Sequence, residues 1–204
     1  MSKSIIIYGT GGHAKVVADI IRLRGEYHIV GFVDDCDEKS TFLDQPVYQG
    51  IKQIPKNVKT AFVAIGDNKI RRDKAKLLRE LGFSLPILIH PGTIISKLQT
   101  NIQSGTLVAA GAIINPGVII GEDCIINTGA SLDHDDIVGY AVHIAPQACL
   151  CGGVKVGDFS FVGANSCIRQ YCNVGVCCTI GMGAAVIRDI PDNSMVMGVP
   201  AHAK

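Results

Sequence analysis

The chain has 204 residues, 48 % hydrophobic and 18 % charged, with 23 glycines, no tryptophan and a net charge of +1. That is enough apolar material for one large or two small folded units, and no Lys/Arg block marks a nucleic-acid or anionic-membrane surface. The charged residues read as ordinary solvated faces. No segment approaches the roughly 18 apolar residues of a membrane span. The short apolar run near the N-terminus is cut by glycine too soon for a secretion signal, so a cytoplasmic protein without membrane insertion is expected. The eight cysteines contain no CxxC pair, and reduced small core residues are expected rather than disulfides or a metal cluster.

In chain order, "SIIIYG" (4–9) reads as a strand and "HAKVVADIIRLRG" (13–25) as a helix stopped by Gly25. "HIVGFVDD" (28–35) reads as a second strand ending in two acids, and "TAFVAIG" (60–66) as a third. The charged amphipathic stretch 67–82 predicts a second helix. Strand–helix–strand order at this spacing implies a small parallel sheet with flanking helices. Gly9, Gly11 and Ala14 fit G-x-G-x-x-A between a strand and a helix, and Asp34 and Asp35 end the next strand. Such a loop lets the backbone approach a diphosphate, while the acids can accept hydrogen bonds from ribose. NAD would need a second mononucleotide half, and the sheet ends near residue 88, so a single nucleotide or nucleotide-sugar suits the site better than NAD.

From about residue 90 the period changes to six. Every sixth residue from Ile102 to Val186, fifteen positions in all, is Ile, Leu or Val. Four places further on in each unit stand mostly small residues, among them Thr106, Ala112, Cys124, Ala148, Ser160, Cys172 and Cys178. A six-residue period is neither helical nor simply alternating. It predicts a parallel β-helix with three sixes per triangular coil, here about 4.7 coils. Two domains follow: 1–88 Rossmann-like and 89–204 β-helix with a tail.

One stretch of this half breaks its own pattern. "SLDHDDIVGYAVHI" (131–144) sets Asp133, His134, Asp135 and Asp136 side by side, with Asp136 in a small-residue slot and His143 nine positions after His134. A polar residue that breaks a repeat without structural benefit points to function, and a carboxylate beside an imidazole raises its basicity and fixes its tautomer. Gly152 lies 18 residues after His134, hence directly above it in the next coil.

"GTGGHAKVVADII", "VGFVDD", "AIGDNKIRR", the hexapeptide half and the ending "DIPDNSMVMGVPAHAK" together resemble bacterial sugar acetyltransferases of the left-handed β-helix type. The nearest in pattern are the nucleotide-4-amino-sugar N-acetyltransferases of the bacillosamine type and the related sialic acid O-acetyltransferases. The resemblance implies acetyl-CoA as cosubstrate, no metal, and a homotrimer with active sites between neighbours. It implies that Gly11, Gly12 and His13 meet the diphosphate or sugar, Asp34 and Asp35 the nucleoside, and that Gly66 borders the same cleft. It makes His134 the general base, Asp135 its support and the Gly152 N–H an oxyanion donor. It gives His143, Gly152, Ala164 and Gly181 to the coenzyme. The expected substrate is a nucleotide-activated, UDP-linked 4-amino-4,6-dideoxy sugar. Other readings stay open: sialic acid O-acetylation, a Cys149 or Cys151 nucleophile, a zinc lyase for which a third coil histidine is missing, and a non-catalytic scaffold.

Overall fold

The computed structural model describes residues 3–35 and 40–203, so the domain limits at residues 1 and 204 lie outside it. The first unit is built from β1 (Lys3–Tyr8), α1 (Gly12–Arg24), β2 (Tyr27–Val33), β3 (Thr41–Phe42), β4 (Gln45–Tyr48), β5 (Ala61–Val63) and α2 (Asn68–Glu80). Its five-stranded sheet runs β3-β4-β2-β1-β5. β1 pairs in parallel with β2 and β5, and β2 with β4. The antiparallel β3–β4 pair is an edge the sequence pattern did not announce, because one strand of two residues and one of four, standing outside any repeat, are too short to show a period. α1 ends at Gly25, whose left-handed backbone (φ 67°) caps Ile21. α2 starts at Asp67, whose carboxylate accepts from the Ile70 N–H.

The second unit is a three-walled parallel β-helix. Strands of two residues recur every six residues and stack every 18, as Ile113↔Ser131 and Ser131↔Cys149 show. The walls hold six, five and eight strands. Of the fifteen aliphatic positions, fourteen are buried at 3 % exposure or less, and Ile102 on the first coil is partly covered. The coil starts earlier than the six-residue count implies. Leu88–Ile89, which straddles the domain boundary expected from sequence at 88/89, pairs with Leu107–Val108 and is the first rung.

The corners explain six of the 23 glycines. Every sixth residue from Gln99 to Gly183 has positive φ, including Gly105, Gly111, Gly117, Gly129 and Gly153. Left-handed backbone costs about 1–2 kcal/mol for most L-residues and nothing comparable for Gly. Asn and Asp tolerate it best of the rest, and Asp123, Asp135 and Asn165 occupy such corners.

The two units share a core. Leu88, Leu107 and Ile125 point outward from one wall, yet all are at most 1 % exposed because they pack into the cluster holding Val17, Ile20 and Ile21 of α1. Arg71 of α2 ties the seam. Read from sequence as part of a solvated face, it is 1 % exposed and donates to the carbonyls of Ile65, Gly66, Asp123 and Ala141 and to Asn68 Oδ1. An arginine fits here because its planar fork can satisfy several fixed acceptors at once. Beside it Arg72 and Arg79 pair with Asp123.

Candidate functional site

Three groups of residues surround the seam and the β-helix walls. The first is the Gly-rich loop. A cavity of about 400 Å³ is lined by Thr10, Gly11, Gly12, His13, Asp34, Asp35, Gly66 and Lys74, among others, so the residues expected to meet the nucleotide-sugar converge there, while Ala14 of the motif packs in the core. The glycines differ in purpose. Gly9 has φ 110°, and a Cβ there would lie 3.0 Å from the Ala64 carbonyl oxygen, so it is structural. A Cβ at Gly11, Gly12 or Gly66 would meet nothing within 4 Å, so packing within the protein does not demand glycine there. The space is left at the N-terminus of α1, where free N–H groups and the helix dipole favour an anion. Asp34 accepts from the Thr10 N–H (3.1 Å) and hydroxyl (2.7 Å), which pins the loop. Asp35 pairs with Lys74 at 2.5 Å and accepts from the Tyr8 hydroxyl, and these two hydrogen bonds, Lys74 first, hold its carboxyl below the usual range. Tyr8 and Lys74 escaped sequence reading because neither lies in a motif; only the fold brings them to the acids.

The second group lies at the seam. His143 stands on the outward side of the same wall as Ile125 and Phe161, with its ring edge-on to Phe161 and its Nε2 3.1 Å from Asn127 Nδ2. Burial, then the charges of Arg71 and a neighbouring His13, push it down to about 4 against a backbone hydrogen bond with Gly66. His13 is likewise lowered to about 4 by burial and Arg71. Both imidazoles are neutral at neutral pH, and His13 Nε2 is buried without a hydrogen-bond partner among the described residues. His143 thus joins the loop residues Gly66 and His13 rather than His134.

The third group is the acidic stretch. His134 sits on the corner after the Ser131–Leu132 strand, half-exposed, with Nδ1 2.9 Å from Asp135 Oδ2. That hydrogen bond, reinforced by the charges of Asp133, Asp135 and Asp136, raises its pKa. Asp135 holds the left-handed corner (φ 62°), which directs its short carboxylate back to the ring. The stacking expected of Gly152 is present: a Cβ there would lie 2.5 Å from His134 Nε2, so only glycine lets the ring lie across it. Among the described residues the Gly152 N–H donates to no other group, whereas its neighbour Gly153 donates to the His134 carbonyl at 2.8 Å.

Asp136 turns out otherwise than its rule-breaking suggests. It is wholly buried, and its Oδ1 accepts from the Val154 N–H at 2.8 Å, so the residue does have a structural bond. Ser160 shows what the slot wants: its hydroxyl accepts from the N–H 18 residues on and donates to the carbonyl 15 residues on. Asp136 supplies the acceptor, but its Oδ2 is buried without a partner. Burial accordingly pushes its pKa up to about 7.

Ala164 and Gly181 lie on a different corner from His134, each following a strand of the wall that carries His143. Gly181 stacks above Gly163, where a Cβ would come within 2.7 Å of the Gly181 carbonyl carbon. Cys124, Cys172 and Cys178 are buried in the small-residue slot as expected, but Cys149, Cys151 and Cys167 are not; they face outward on one wall. Burial raises the Cys149 and Cys151 thiols, Cys151 to about 12, which counts against either as nucleophile. No helix among the described residues is long and apolar enough to cross a membrane.

A family profile described as the PglD N-terminal domain matches residues 4–78. Among solved structures, a mutant of perosamine N-acetyltransferase from Caulobacter crescentus in complex with CoA and GDP-perosamine is 38 % identical, covering 98 % of this chain and 96 % of that one, with a TM-score of 0.94. The acetyltransferase domain of PglB from Neisseria gonorrhoeae FA1090 in complex with acetyl coenzyme A is 35 % identical over 100 % of both chains, with a TM-score of 0.93. A curated relative, the acyl-[acyl-carrier-protein]–UDP-N-acetylglucosamine O-acyltransferase of Pseudomonas putida F1, is 29 % identical over 118 residues. That match takes in 58 % of this chain and 39 % of the relative, so the chain spans about two-fifths of the length of the curated relatives it matches. With both units matched end to end by enzymes of one kind, the chain belongs to the hexapeptide-repeat nucleotide-amino-sugar N-acetyltransferases.

Proposed function

We propose that this protein transfers the acetyl group of acetyl-CoA to the 4-amino group of a UDP-linked 4-amino-4,6-dideoxy sugar by direct attack. The observation that carries the reading is the His134 corner: an imidazole whose Nδ1 is held by Asp135 and whose ring lies across a glycine with an unspent N–H. With Nδ1–H donated to Asp135, the Nε2 lone pair is free to take a proton. The amine nitrogen attacks the thioester carbonyl and passes its proton to Nε2. The Gly152 N–H faces the developing oxyanion. The intermediate collapses by breaking the C–S bond, and the sulfur leaves with the proton returned by His134. Both reactants are bound in one complex and no covalent acyl-enzyme forms.

The open space over Gly11, Gly12 and Gly66 supports a diphosphate at the N-terminus of α1, with Asp34, Asp35 and Lys74 toward the nucleoside. His143, Ala164 and Gly181 serve the coenzyme. Because His134 and the Ala164–Gly181 corner lie on different edges of one prism, a complete site needs a neighbouring chain, which favours a homotrimer. The working location is cytoplasmic, where acetyl-CoA and nucleotide sugars are made.

A GDP-linked acceptor is the second reading, favoured by the relative solved with GDP-perosamine. The test is a panel of UDP-, dTDP- and GDP-4-amino sugars and sialic acid, each with acetyl-CoA, reading thiol release. Turnover on the UDP-sugar above all others is expected. Turnover on none of the amino sugars overturns N-acetylation, and preference for the GDP-sugar replaces the first reading by the second.

A further inference from the structure

We propose that Cys149, Cys151 and Cys167 form a binding site for a soft, thiophilic divalent cation such as Zn²⁺, on the outer wall of the β-helix beside the Gly152 corner. The repeat itself places the three sulfurs. Cys149 and Cys167 are consecutive in one outward column, paired in parallel register, with the inward partners Leu150 and Ile168 buried in the ladder. Cys151 follows two residues after Cys149, again outward, and its N–H is fixed to the Ile168 carbonyl at 3.0 Å. All three backbones are held by ladder hydrogen bonds, so the sulfurs are preorganised rather than carried on a loop.

The distances suit a metal. Zinc–thiolate bonds of about 2.3 Å at tetrahedral angles set the sulfurs about 3.8 Å apart. Cys151 Sγ and Cys167 Sγ are 3.8 Å apart, and all three sulfurs lie within 4.8 Å of one another. A modest rotation of Cys149 completes three sides of a tetrahedron, leaving the fourth position for water. Nothing else explains the trio: the neighbouring positions in the same column are Ser131 and Ala185, so the wall does not demand cysteine.

Chemistry sets the sign of the pH dependence. Burial and the adjoining sulfurs raise the Cys149 and Cys151 thiols, which disfavours their thiolates in the absence of a cation. A cation reverses that balance by pairing with each thiolate it displaces a proton from, so binding releases protons and strengthens as pH rises.

The test uses the reduced full chain, stripped of metal under nitrogen, titrated with Co²⁺ as a spectroscopic probe and then with Zn²⁺. The expected result is a thiolate-to-cobalt charge-transfer band saturating at one Co²⁺ per chain and abolished by Zn²⁺. Cys167→Ser and Cys151→Ser should each weaken binding about tenfold or more, while Cys177→Ser, an exposed thiol elsewhere, should leave it unchanged. Alkylation of the wild-type chain gives a readout independent of any variant's folding: Zn²⁺ should protect Cys149, Cys151 and Cys167 from iodoacetamide but not Cys177. Absence of the band, a band undiminished in a folded Cys167→Ser variant, or no selective protection overturns the proposal.

Discussion

At the scale of single residues, His134 and Asp136 make opposite demands on protons. His134→Ala should lower kcat about 10²–10⁴-fold with little change in KM for acetyl-CoA, since proton transfer matters chiefly in the transition state. Asp135→Asn should fall between the two. Its acidic pH–rate limb should move to lower pH, because the hydrogen bond that raises the imidazole is lost. Steady-state kinetics across pH decides both; near-normal turnover by a folded His134→Ala protein would discard the base. Asp136 is read through stability instead. Its folded pKa of about 7 lies above the ordinary 3.8, so the native chain keeps a proton that the unfolded chain releases. The associated stability is present in full below about pH 4 and is lost as pH rises through 7, on the order of 4 kcal/mol in all. Asp136→Asn keeps the acceptor for Val154 and adds a donor. It should melt like wild type at pH 4 and well above it at pH 8, by calorimetry at the two values.

Individual elements are set by the six-residue unit, and each unit needs an aliphatic, a small residue and a left-handed corner. Gly111 isolates the last of these, because a Cβ there would find its nearest neighbour 3.9 Å away while φ is 69°. Gly111→Val should therefore cost about 1–2 kcal/mol from backbone strain alone, seen as a fall of a few degrees in Tm. An unchanged Tm would show that the corner tolerates β-branching. The thiol wall and the His134 corner are variations on this unit: because the backbone is held by its ladder, outward positions are free to carry chemistry.

For the whole molecule, Arg71 and the wall it docks on matter most. Arg71→Met would strip donors from the carbonyls of Ile65, Gly66, Asp123 and Ala141 in a buried seam. A loss of about 3 kcal/mol or more is expected, with protease cleavage appearing first in the nucleotide-loop unit. Cooperative unfolding at the wild-type midpoint would show that the apolar contacts of Leu107 and Ile125 suffice. The separation of His134 from the coenzyme corner on one prism predicts a trimer by light scattering at micromolar concentration; a monomer that turns over at full rate would rule out shared sites.

What the sequence alone determined is what repeats or what sits next to itself. Fifteen aliphatics at a fixed period specify the β-helix because each is an independent vote for the same register. His134, Asp135 and the Gly152 above them follow by counting 18. The Gly-rich loop and its acids are a local motif, and all of them do line one cavity. What only the tertiary structure decided depends on contacts between distant segments, which leave no period. Arg71 looks like any helix-surface arginine until a wall covers it, and Asp136 looks functional until Val154 takes its oxygen. Lys74 and Tyr8 reach Asp35 only through the sheet and helix that place them, and His143 parts from His134 because the seam with the first unit buries it. Burial shifts Asp136 and His143, and hydrogen bonds between distant segments shift Asp35 and Lys74; both are properties of the packed surfaces rather than of any one segment.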